Sequence, residues 1–97
     1  MRTIAKLKND VVTIKALIRH PMLSPFVAKK KHKKPKYITH ITAKYNGELV
    51  YDFYSTQNIS KNPFIEFSFR GGKKGDKVEI NWIDNTGETK KGYAQIR

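Results

Sequence analysis

Ninety-seven residues and 11.2 kDa are the size of one small domain, with room for a single core and little for an enclosed cleft. The chain has no cysteine, which excludes a disulfide scaffold, a thiol nucleophile, a cysteine-based zinc site and an iron–sulfur cluster. Twenty Lys and Arg against eight Asp and Glu give a net charge of +12, a balance that attracts nucleic acid, anionic lipid or acidic protein.

Period-two patterning dominates the chain from its start. Thr3–Lys8 reads as a first strand, hairpinned through Asn9-Asp10 into Val11–Ile18, where Val12, Ile14, Ala16 and Ile18 share one face. The opening segment alternates charged with apolar residues, so no signal peptide is expected, and no apolar run approaches the ~20 residues that span a bilayer. Arg19–Lys36 is irregular, with three of the four prolines and six of the sixteen lysines. It reads as a long basic loop, of a length that is usually functional or disordered.

Tyr37–Tyr45 resumes the alternation, with Tyr37, Ile41 and Ala43 opposite His40 and Lys44. Asn46-Gly47 is a hairpin turn, because both residues must accept positive φ. Leu49, Tyr51 and Phe53 then share a face, as do Ile65, Phe67 and Phe69 after Asn62-Pro63. Gly71-Gly72 and Gly75-Asp76 punctuate the next connection, Val78, Ile80 and Trp82 alternate with Glu79 and Asn81, and Asp84–Gly87 turns into a last strand, Thr89–Ile96. Seven short strands in one 1–97 domain predict an all-β fold, a seven-stranded immunoglobulin-like antiparallel β-sandwich; a small barrel is the alternative.

Nothing in this pattern marks a catalytic site. His20, His32 and His40 lack metal-ligand spacing, and Ser24, Ser55, Ser60 and Ser68 lack a nucleophile elbow. Gly71–Asp76 fails as a phosphate loop, since a strand and not a helix follows it. The expectation is a non-enzyme with no cofactor and no metal. Two surfaces stand out instead. Ile38, Val50, Tyr54 and Phe64 point away from the assigned core face, as an apolar partner surface would. Lys29, Lys30, Lys31, Lys33, Lys34 and Lys36 form a charge run suited to electrostatic docking, or to solvation alone. Basic and aromatic residues are segregated, and lysine lacks the planar fork of arginine, which weighs against a nucleic-acid surface.

Three blocks together resemble the SoxZ family: Lys15–Met22, Ser60–Phe64 following the Asn46-Gly47 hairpin, and Phe69–Val78 running into Trp82–Glu88. The sequence departs from that family at Ser24–Lys36, where the lysine run replaces a more mixed loop. The resemblance implies an immunoglobulin-like subunit that pairs with SoxY, which carries thiosulfate-derived sulfur on a cysteine near its C-terminus. It implies transient contact with SoxAX, SoxB and other Sox enzymes, and a periplasmic location reached by co-export with SoxY. No membrane contact is expected, and self-association of the isolated chain stays open. His20, Pro21 and Met22 have two readings: a strand terminus with Met22 filling the core, or an edge that meets the partner. The rival function is a basic nucleic-acid-binding β-domain.

Overall fold

A computed structural model describes residues 1–55 and 61–97; Ser60, part of one block above, lies outside the described residues. Seven strands run in chain order: β1 Arg2–Lys8, β2 Val11–Leu17, β3 Ile38–Tyr45, β4 Glu48–Tyr54, β5 Phe64–Arg70, β6 Lys77–Asp84 and β7 Thr89–Gln95. They form two antiparallel sheets, β1-β2-β5 and β4-β3-β6-β7, which is the expected immunoglobulin-like sandwich.

Turn chemistry sets the hairpins. Asn9 and Asp10 both take positive φ (52° and 66°), as do Asn46 and Gly47 (51° and 81°), so each two-residue turn matches the right-handed twist of its strands. The core lies between the sheets. Val12, Ile14, Ala16 and Ile18 meet Ile41, Ala43, Val78, Ile80 and Trp82, all buried, and Tyr51 stacks on Phe67 at 4.4 Å. After β7 the chain crosses to the other sheet: Ile96 bridges Ala5 in parallel, Arg97 N–H donates to Ala5 O at 3.0 Å, and Leu7 N–H donates to Arg97 O at 2.9 Å. This covers part of the free edge of β1, a site otherwise open to unwanted pairing.

Two β-bulges overturn part of the expected alternation. Against β6, Ile38 pairs with Asp84 and His40 with Ile83, so Thr39 is an extra residue. The phase flips there, and Ile38 enters the core, fully buried, where strict alternation puts it on the outside with His40. Against β3, Tyr51 pairs with Ala43 and Leu49 with Lys44, which leaves Val50 as the extra residue. Val50 consequently packs partly buried against the core, and Leu49, expected inside, is 52% exposed. Ile38 and Val50 are therefore corrected from outward to inward positions.

The 19–36 connection is also more ordered than a loop. It contains a short helix, α1, Pro25–Lys30. Ser24 caps it, with Oγ accepting from Val27 N–H at 3.3 Å, and proline occupies its first turn, where no N–H is needed. At the other end His32 takes φ 55° while Lys33 N–H reaches Ala28 O at 2.8 Å and His32 N–H reaches Lys29 O at 3.3 Å. This is the Schellman closure, with histidine where glycine is usual.

Candidate partner-binding face

The His20–Met22 segment is built into the core. Pro21 stays exposed, but His20 and Met22 are buried, so their side chains are out of a partner's reach in the isolated chain. Met22 N–H donates to His20 Nδ1 at 3.0 Å. A backbone N–H can only donate, so Nδ1 is the unprotonated nitrogen and Nε2–H donates to Asp84 Oδ2 at 3.1 Å. The ring sits edge-on to Trp82 at 5.0 Å, and the His20 backbone is clasped by Asn62 on both its N–H and its carbonyl. Of the two readings, the geometry matches the strand terminus with Met22 filling the core.

Asp84 is the hub of this cluster. Its Oδ1 accepts from Thr86 N–H (2.9 Å), Thr86 Oγ1 (2.6 Å) and Glu88 N–H (3.1 Å), and its Oδ2 also accepts from Lys36 Nζ at 2.6 Å. Burial alone pushes its carboxyl upward, and is the largest single influence; the donations from Lys36, Thr86 and His20 together outweigh it and hold the group well below the usual carboxylate range. Lys36 in turn is raised, chiefly by its bond to Asp84 and then by Glu88. Lys36 is thus a structural clamp and is corrected out of the docking set, whereas Lys29, Lys30, Lys31, Lys33 and Lys34 are exposed.

The two outer sheet faces differ in character. On β1-β2-β5, the cations Arg2, Lys6, Lys8, Lys15 and Arg70 face one carboxylate, Glu66, which pairs with Lys15 at 3.6 Å. Phe64 is 60% exposed on this side, beside its cross-strand neighbour Leu17. On β4-β3-β6-β7 the cross-strand rows read Tyr54–His40–Ile83–Thr89, Asp52–Thr42–Asn81–Lys91 and Leu49–Lys44–Glu79–Tyr93. Those rows balance acid against base, and their charges are largely paired within the face. His40 pairs with Asp52, Lys91 with Glu79 at 3.1 Å, and Thr89 Oγ1 bonds Asn81 Oδ1 at 2.9 Å. The Glu79 contact raises Lys91.

Between these pairs stand large exposed side chains. Leu49, Tyr54, Ile83 and Tyr93 are 52%, 71%, 40% and 58% exposed, and the Tyr54 ring lies flat on His40 at 4.1 Å. A partner covering this face would bury the apolar set together with charges that mostly keep a partner of opposite sign, which avoids the larger cost of an uncompensated buried charge. Of the four apolar residues expected on a partner surface, only Tyr54 lies here. Ile38 and Val50 turn inward, and Phe64 is on the opposite sheet.

The family model for "Sulphur oxidation protein SoxZ" matches residues 1–95. The chain belongs to the SoxZ family. It is a component of the Sox sulfur-oxidation system. No curated protein matches the chain. The SoxZ blocks read from the sequence fall largely on structural positions: His20 and Asp84 meet across 64 residues of chain, and Asn85 clasps Tyr37, donating its N–H to Tyr37 O (2.9 Å) and accepting from Tyr37 N–H (2.8 Å). In the sequence Leu49 itself reads as core, Ile83 stands next to the core residue Trp82 and Tyr93 falls in a weakly patterned strand, so none of the three stands out there. A bulge one residue from Leu49, and the pairing of Ile83 with His40, would have revealed them only once the partner strands were known.

Proposed function

We propose that the chain is the non-catalytic subunit of a periplasmic sulfur-carrier heterodimer, and that it holds a SoxY-like subunit against the outer face of β4-β3-β6-β7. The observation that carries this reading is the exposed set Leu49, Tyr54, Ile83 and Tyr93, laid among internally paired charges on a SoxZ-family sandwich. The partner carries the sulfur on its own cysteine; a chain without cysteine adds no thiol that could exchange with a persulfide. Its task is to hold and present the carrier to SoxAX, SoxB and the other Sox enzymes.

The test is co-expression with the SoxY-like protein of the same source, followed by co-purification at about 0.5 M salt, where charge attraction is screened within a few ångströms. A 1:1 complex should survive. Placing charges within the exposed apolar set, with Tyr54→Asp and Ile83→Asp together, should weaken it by roughly 100-fold or more, as loss of interface anchors does. Phe64→Asp, on the other sheet, should leave it intact. Undiminished binding by the double variant would remove this face from the interface. A chain that stays alone and shifts labelled oligonucleotides instead would favour the nucleic-acid reading.

A further inference from the structure

We infer that the α1 knuckle, residues 24–34, is a contact element for an anionic lipid surface. The sequence alone shows a charge run there. The structure adds an exposed apolar tip and a rigid base. Phe26 is 70% exposed and Val27 38%, side by side on α1. Around them Lys29, Lys30, Lys31, Lys33 and Lys34 are exposed, and among the described residues none of the five has an ion-pair partner. Lys30 Nζ lies over the Phe26 ring at 4.6 Å, so cation and apolar surface form one unit.

The knuckle does not depend on a partner for its shape. Ala28 is fully buried beneath it, and its two ends are tied by the Leu23–Lys36 bridge, with N–H to O distances of 2.6 and 2.8 Å. Lys36 is then locked onto Asp84, and Asn85 Nδ2 donates to Pro35 O at 3.1 Å. The element therefore presents its tip without an ordering cost. It joins the end of β2 to the start of β3, and so leaves the sandwich from the end where those strands terminate and begin. Contact through that end leaves both outer sheet faces free.

Composition selects the surface. The five cations are all lysine, which is depleted from protein–protein interfaces, and there is no arginine fork for a specific carboxylate or for nucleic acid. Clustered lysines respond to the diffuse field of anionic headgroups, and their flexible stems let the charge stay at the headgroup level while Phe26 and Val27 enter the acyl boundary. No helix among the described residues is long and apolar enough to cross a membrane, so the contact is peripheral.

The experiment uses vesicles of about 30% phosphatidylglycerol in phosphatidylcholine, compared with pure phosphatidylcholine, in about 0.1 M salt. Phe26→Trp supplies the optical readout, since Trp82 is buried and gives a constant background. Binding to the anionic vesicles alone is expected, with a blue shift of the new tryptophan. Each lysine near the surface should account for about fivefold in affinity, so Lys29, Lys31 and Lys33→Gln together should lose about 100-fold. Phe26→Ser should lose about tenfold or more. All these positions are exposed, and an unchanged far-UV spectrum confirms the fold of each variant. Equal binding to neutral vesicles would overturn the inference. So would anionic-vesicle binding without a blue shift and unaffected by Phe26→Ser, and so would stronger binding to a polyglutamate peptide or a duplex oligonucleotide.

Discussion

Replacing Asp84 by Asn tests whether the buried cluster holds the sandwich end together. Asn keeps an oxygen for Thr86 N–H, Thr86 Oγ1 and Glu88 N–H, but it sets an amide NH2 where Oδ2 now accepts from His20 and Lys36. His20 Nε2–H is then left facing another donor in a buried site. A hydrogen bond to a charged group in such a site contributes about 1.5–3 kcal/mol. The Lys36 pair, with its carboxylate fully buried and its lysine side chain a third exposed, adds about 1–2 kcal/mol. The variant should therefore lose about 3 kcal/mol, which for a domain of this size lowers Tm by about 12–24 °C. Urea unfolding followed by Trp82 fluorescence measures it, with the midpoint falling and the slope m unchanged. Lys36→Met, which spares His20 but leaves the buried carboxylate without its ammonium donor, should cost about 1–2 kcal/mol. A loss below about 1 kcal/mol for Asp84→Asn would refute the assignment of this end's stability to the buried carboxylate and its donors.

The same cluster gives stability a pH dependence. The folded carboxyl of Asp84 is held below its ordinary value of 3.8, so its contribution is fully present above that pH and is lost as the solution is acidified through and below it. The stability gap between the natural chain and Asp84→Asn should accordingly narrow between about pH 5 and pH 2; a constant gap would refute the linkage. Gly72→Ala tests the packing of the β5–β6 connection. A Cβ there would stand 2.5 Å from Val12 Cγ2 and 3.1 Å from Ile96 Cδ1, and Val12 is fully buried, so a loss of about 1–3 kcal/mol is expected by urea unfolding.

Much of the architecture was legible along the chain because its signals are local. Asn9-Asp10 and Asn46-Gly47 demand positive φ wherever they occur, and the alternations Val12–Ile18, Ile65–Phe69 and Val78–Trp82 name their own buried face. Those features, with the absence of cysteine and the lysine run, were determined by the sequence alone. Only the tertiary structure decided the phase of Ile38, Leu49 and Val50, because a bulge exists only relative to the strand it pairs with. Only it could join His20 to Asp84 across 64 residues, turning a histidine with two open readings and a turn carboxylate into a buried hydrogen bond. It also divided the lysine run, locking Lys36 onto Asp84 and leaving its neighbours around Phe26. The physical reason is the same in each case: burial and ion pairing are fixed by neighbours in space, and a sequence displays only neighbours in the chain.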